Sequence, residues 1–196
     1  MTTSRPADLR VLLLEDNPQD AESVTRALEH IDQSWVVQSV ETESDYISSL
    51  DVFAPDVILS DDSPRELGSI EALRLAQCRR PGSPFLIVSE ACEQSALECL
   101  KAGAADVVRK ADLSRLGPSI ITALDDRARL RKLSTRQLEV LQLLSSGRST
   151  RNIAERLNLS VKTVETHRAQ VMKRLGIREL AGLVRYSIQV GLVSAA

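Results

Sequence analysis

The 196-residue sequence has no run of about 18 apolar residues, so nothing in it is long enough to span a bilayer as a helix. Its beginning lacks the charged-then-apolar layout of a signal peptide, since Asp8 precedes only the short run Val11–Leu14. A cytoplasmic protein is expected. Cysteine is scarce: Cys78, Cys92 and Cys99 are odd in number and lack the paired spacing of metal ligands. This excludes a disulfide framework and predicts reduced thiols packed in helices. Each half of the chain is poor in charge of one sign. Residues 1–126 carry 11 Lys or Arg against 23 Asp or Glu, and residues 127–196 carry 14 against 4, so a net charge of −2 conceals −12 and +10. That split suggests two domains of about 120 and 65 residues. The basic one points to a polyanion.

In the acidic part, the apolar runs Arg10–Leu14, Val36–Val40, Val57–Leu59, Phe85–Val88 and Val107–Val108 alternate with segments of three- and four-residue apolar spacing. Those segments, Ala21–His30, Glu43–Phe53, Ile70–Arg79, Glu93–Ala102 and Leu116–Arg131, predict helices. Pro18, Pro55, Pro64, Pro81-Gly82, Pro84, Gly103 and Gly117-Pro118 punctuate the boundaries. Five alternations imply an α/β fold, a doubly wound five-stranded parallel sheet with helices on both faces. The ligand crevice of such a sheet lies outside the carboxyl ends of its strands. Here those ends are polar: Glu15-Asp16, Ser60-Asp61-Asp62, Ser89 and Arg109-Lys110. Carboxylates crowded together need a compensating charge. Mg²⁺ supplies it, taking oxygen ligands, keeping several waters and sharing one or two carboxylates with a phosphoryl group.

Val11–Pro18, Pro55–Asp61, Pro84–Ser89, and Lys101–Asp106 followed by Lys110 resemble the receiver domain of two-component response regulators, a flavodoxin-like fold, over residues 9–126. The resemblance implies that Glu15, Asp16 and Asp61 hold Mg²⁺ and that Asp61 accepts a phosphoryl group from a partner histidine kinase. It also implies that Ser89 hydrogen-bonds the phosphoryl oxygens and Lys110 pairs with them. Phosphoryl transfer asks mainly for positioning and charge neutralisation, so a weakly nucleophilic carboxylate suffices. The product adds negative charge and acceptor oxygens that can reorder a nearby loop.

Two departures stand out. In the pattern a Pro follows four positions after the phosphoacceptor, whereas Pro64 follows Asp61 by three. Counting forward from Pro55-Asp56 selects Asp61, and counting back from Pro64 and Gly68 selects Ser60; the strand fixes register more firmly than the loop, which favours Asp61. Val107 occupies the position where many receivers carry Tyr or Phe, which weakens the usual aromatic relay. Asp62 either competes for Mg²⁺ or, the favoured expectation, points to solvent, and Lys101 and Arg109 are expected to be solvated surface charges. A phosphoaspartyl hydrolase of similar fold would carry a second Asp two residues after the first; position 63 is Ser, so no enzyme is expected.

Residues 119–133 contain neither Gly nor Pro and run from acidic to basic, matching the helix dipole. They predict a stiff helical linker, 127–133, between a first domain at 1–126 and a second at 134–196, with Ile121 and Leu124 packing on the first. Four helices follow: from Ser134 or Thr135 to Ser145, Arg151–Leu157 capped by Ser149 or Thr150, Val161–Leu175 capped by Ser160, and about Arg178 to Val190. The short turn Asn158-Leu159-Ser160 between the second and third predicts a helix-turn-helix, its angle fixed by Ile153, Ala154, Leu157, Leu159, Val164, Val171 and Leu175.

Leu133–Leu141, Ile153-Ala154, Leu159-Ser160, Thr163–His167 and Lys173–Gly176 resemble the LuxR-type helix-turn-helix of NarL/FixJ response regulators, which implies binding to double-stranded DNA. With Val164 and Val171 inward, Glu165, Thr166 and Ala169 are the base-reading candidates, since Glu accepts from cytosine and methyl groups touch thymine. Lys162, Thr163, Arg168, Lys173 and Arg151 are candidates for the DNA backbone. A domain this small makes few phosphate contacts, so a homodimer on paired half-sites is expected, with Leu183, Val184 and Val190 offering the contact. The sequence thus reads as a transcriptional regulator controlled by phosphorylation of Asp61, the acidic domain lying against the basic recognition surface until released. The alternative is a phosphorylation-independent DNA-binding regulator whose receiver is a protein- or ligand-binding scaffold.

Overall fold

The computed structural model describes residues 8–31, 34–62, 66–90 and 93–193, with backbone alone at 93–96. Cys92 and the shortened loop at 63–65 lie outside the described residues. Five strands, β1 (Leu9–Leu14), β2 (Trp35–Val40), β3 (Val57–Asp61), β4 (Phe85–Ser89) and β5 (Asp106–Arg109), alternate with α1 (Pro18–Glu29), α2 (Glu43–Val52), α3 (Ser69–Arg79) and α4 (Glu93–Ala102). All pairings are parallel, in the order β2-β1-β3-β4-β5. The expected doubly wound sheet is present. The strands are apolar throughout because both of their faces are covered. Val11, Leu13, Val57, Leu59 and Leu86 pack with Val24 and Leu28 of α1, and Leu12, Leu14, Ile58 and Ile87 pack with Tyr46, Leu50 and Leu73 of α2 and α3.

Strand order reverses between β1 and β3, which opens the crevice at their carboxyl ends. In register, Leu14 pairs with Ser60, Asp61 with Val88 and Ser89 with Arg109, so the polar strand ends form one edge. A 3₁₀ helix, Lys110–Arg115, follows β5; nothing in the sequence pattern announced it.

The helix α5 (Leu116–Arg131) joins the two halves. Pro118 fits its first turn, where a backbone N–H has no partner to lose. The expected seat of Ile121 is corrected: it is 44% exposed, while Ile120 at 0% and Ala123 at 6% face the sheet and Leu124 packs partly beside them. Leu130, 7% exposed, belongs to the core of the helical half. The stretch read as a linker is therefore largely part of α5, and its last turn is shared property. Of the cysteines, Cys99 is buried and Cys78 is exposed, against the expectation that both pack inward.

The helical half comprises α6 (Thr135–Ser145), α7 (Thr150–Leu157), α8 (Val161–Leu175) and α9 (Leu180–Gln189). Ser134, Ser149 and Ser160 each accept a hydrogen bond from the backbone of the third residue on, and Ser134 with Gln137 completes a capping box. Asn158 ends α7 in the left-handed region at φ 52°, which turns the chain into α8 within three residues. Ile153, Ala154 and Val164 form one small core with Val140 and Leu144; Val171, Leu175 and Leu183 form another with Leu130 and Leu141. Leu183 at 0% and Val190 at 4% are thereby committed to their own domain and are unavailable as a dimer surface, contrary to expectation.

The two halves touch along α9. Tyr186 Oη donates to the Asp126 carbonyl at 2.6 Å. Gly103 and Gly191, at φ 107° and 68°, meet so closely that a Cβ on Gly103 would lie 2.8 Å from Gln77 Nε2 and 3.4 Å from Gly191 Cα. Among the described residues no helix is long and apolar enough to cross a membrane.

Candidate functional site

Lys110, directly after β5, organises the crevice. Its Nζ lies 2.7 Å from Asp61 Oδ1, 3.0 Å from Glu15 Oε2 and 2.7 Å from Asp20 Oδ2. Burial works to lower the Lys110 pKa, but the hydrogen bonds it donates to Asp20, Asp61 and Glu15 outweigh it and raise the value above the ordinary lysine range. Glu15 is 2% exposed and its pKa is raised by burial, in part offset by the Asn17 amide and by Lys110. Its second oxygen, Oε1, accepts from the Asn17 amide at 3.0 Å. Asp61 is 7% exposed at the end of β3.

The sequence-derived residues Glu15, Asp61 and Lys110 thus converge, with half-buried Asp16 beside Glu15 in the chain. Ser89 ends β4 at 2% exposure. Asp20 was missed. It stands in the first turn of α1, where the Asn17 cap and Pro18 aim that turn at the crevice. Asp62 is corrected: it is half-buried, and its Oδ2 accepts a 2.5 Å hydrogen bond from Ser89 Oγ. Lys101 and Arg109 are exposed, as expected. Val107 is partly buried against the α2–α4 side of the sheet.

For a Mg²⁺ the residues present fit a site of few protein ligands. Among the described residues no group of three or more His, Cys, Asp or Glu is gathered as a cage. Mg²⁺ does not need one, because it binds through one or two carboxylates and keeps waters. Glu15, Asp16 and Asp61 are the carboxylates at this edge that would hold it, with Glu15 also accepting from Asn17 and Lys110 and Asp61 also paired with Lys110.

On α8, Val164 and Val171 are buried, while Lys162, Glu165, Thr166, Ala169 and Lys173 are exposed along one side. Thr163 and Arg168 are partly exposed; the Thr163 hydroxyl pairs with Ser160 Oγ at 2.7 Å, which ties it to the helix start. Arg151 is exposed at the start of α7, 3.5 Å from Glu155. Among the described residues the acidic half does not lie over this surface, whose side chains on α8 are exposed. The α/β half contacts α9 and the end of α5 instead, which corrects the expected electrostatic cover.

Residues 11–119 match the description "Response regulator receiver domain" and residues 131–187 match "Bacterial regulatory proteins, luxR family". The transcriptional regulatory protein MctR of Rhizobium johnstonii is 26% identical over 211 residues, covering 98% of each chain. The transcriptional regulatory protein FixJ of Rhizobium meliloti is 31% identical over 159 residues, 71% of this chain and 78% of FixJ. In fold the chain is similar to full-length FixJ from B. japonicum, with a TM-score of 0.51, 24% identity and coverage of 94% of this chain and 98% of that one. It is likewise similar to RcsB in a structure of two RcsB dimers bound to two parallel DNAs, with a TM-score of 0.54, 22% identity and coverage of 91% and 98%. With its sheet, its crevice and its helix-turn-helix matched in one chain, this protein is no enzyme but belongs to the response regulators that join a receiver to a LuxR-type DNA-binding domain, the transcriptional regulators of two-component systems.

Proposed function

We propose that Asp61 is the phosphoacceptor through which a histidine kinase controls DNA binding by α8. The observation that carries this reading is the Lys110 ammonium held 2.7 Å from Asp61, between Glu15 and Asp20, at the carboxyl edge of the sheet. Lys110 orients the Asp61 carboxylate and stands ready as a point charge for the oxygens that arrive. Glu15, Asp16 and Asp61 are the residues that would hold Mg²⁺, which when bound neutralises phosphoryl charge. Burial of Glu15 and Asp61 excludes water from the carboxylate that must survive as an acyl phosphate.

On the DNA side, Glu165, Thr166 and Ala169 read base edges, and Lys162, Thr163, Arg168, Lys173 and Arg151 grip the backbone. Two copies on paired half-sites give a small module useful specificity, and exposed Leu180 with half-buried Val184 on α9 remains for the contact between them. A cytoplasmic location suits both partners. The test is intact mass after incubation with Mg²⁺ and acetyl phosphate: wild type gains one phosphoryl group and Asp61→Asn gains none. A gain retained by Asp61→Asn sinks the assignment.

A second reading, DNA binding independent of phosphate, draws on one specific observation. The hydroxyl that would receive a phosphoryl oxygen already donates to Asp62.

A further inference from the structure

Ser89 and Asp62 are joined by a short bond across the carboxyl ends of β3 and β4. On the reading above, the Ser89 hydroxyl is the donor meant for a phosphoryl oxygen on Asp61. A carboxylate offers it the same thing, an anionic oxygen at short O–H···O distance. Asp62 is the next residue after the phosphoacceptor, so the substitute acceptor sits one peptide unit from the real one.

Asp62 is also fixed from behind. Its carbonyl accepts from Ser69 Oγ at 3.0 Å, and Ser69, 6% exposed at the start of α3, lies 3.7 Å from Cys99 Sγ of α4. The chain segment carrying the carboxylate is thus tied to α3 and α4. Lys110 serves Glu15, Asp20 and Asp61. The strand that carries Ser89, β4, packs against the helix α4. That helix, α4, touches α9 of the DNA-binding domain.

We propose that Asp62 is an internal stand-in for the phosphoryl group, holding the Ser89 hydroxyl in its phosphate-engaged arrangement while Asp61 is unmodified. The proposal rests on the roles given to Asp61 and Ser89 above. Its consequence is a regulator that binds DNA without modification. A phosphoryl group on Asp61 then takes over a contact already made.

The test uses the full chain and a duplex selected by the wild-type protein from a random-sequence pool. Without phosphodonor, wild type binds, and Asp62→Ala loses affinity on the order of tenfold, the worth of one charge-assisted hydrogen bond. Acetyl phosphate with Mg²⁺ restores Asp62→Ala together with one phosphoryl mass, and does not restore the Asp61→Asn, Asp62→Ala double variant. Ser89→Ala loses as much as Asp62→Ala, and combining the two costs no more than either alone, because both remove one contact. Asp62→Ala binding like wild type, or additive losses in the double variant, overturns the proposal. Loss of affinity in Asp62→Ala with no phosphoryl mass in any variant sinks the Asp61 assignment while leaving the Asp62–Ser89 contact as the controlling element.

Discussion

The two functional surfaces handle charge in opposite ways. At the receiver edge, Glu15, Asp20 and Asp61 converge on Lys110, whose side chain is only 15% exposed. On α8, Lys162, Glu165 and Lys173 stand apart in solvent. Buried charges act as a set whose members cannot be removed singly without stranding the rest. Exposed charges act one by one and are screened by salt. The first surface ties its carboxylates to one cation, and the second leaves each charge on its own.

Removing Lys110 breaks that contrast most severely. Lys110→Met leaves three acidic side chains without their cation and costs about 3 kcal/mol, read as a lower urea midpoint with unchanged slope. Because its pKa is raised, the stability contributed by Lys110 is complete below the ordinary lysine value of 10.5 and fades as pH climbs above it. A midpoint like that of wild type would mean the edge is no more cooperative than a solvated surface.

Leu130→Ala comes next. It opens the core of the DNA-binding domain from a residue that the receiver's last helix supplies, and costs about 2 kcal/mol, measurable as a lower melting temperature of the DNA-binding transition. Were only the receiver transition to move, α5 would belong to one domain alone.

On the exposed surface the effects are smaller and separable. Glu165→Ala changes discrimination at one base position by about 1–2 kcal/mol, and Lys173→Ala weakens binding uniformly while lowering the salt slope by about one. Titration of affinity against salt on matched and mismatched duplexes tells the two apart. Coupling between them would make α8 resemble the receiver edge.

The smallest effect is at the seam. Tyr186→Phe removes the hydrogen bond to Asp126 and costs about 1 kcal/mol near neutrality. Burial raises the pKa of this phenol, so the unfolded chain ionises first and stability falls as pH passes 10.0. Tyr186→Phe makes that alkaline decline shallower, as urea midpoints between pH 9 and 11 would record. An unchanged decline would mean that Tyr186 is not buried at the joint.

Much of this was legible beforehand because strand ends are legible. A parallel strand covered on both faces reads as an apolar run, and the first polar residues after it must stand at the carboxyl edge; Glu15, Asp61, Ser89 and Lys110 were found that way. Asp20 escaped because it reaches the edge from a helix turn, whose direction depends on how Asn17 and Pro18 launch α1. Asp62 was misread because its orientation follows from the anchoring of its carbonyl by Ser69, seven residues on. Ile121 was misread by one step of helix phase, since Ile120 and Ala123 serve the sheet equally well in pattern. The helix-turn-helix was legible nearly to the residue, each start being marked by a serine that bonds its own helix.

The sharing of α5 sets a rule for recombining such proteins. Each residue of a helix advances about 1.5 Å and turns about 100°, so the angular setting of the DNA reader is written in the number of residues between Ile120 and Leu130. One residue inserted there would swing Leu130 out of its seat or twist the reader about the axis by over a quarter of a revolution. Swapping receivers onto readers at this joint is therefore a problem of phase: chimeras that preserve the count couple, and those off by one or two do not.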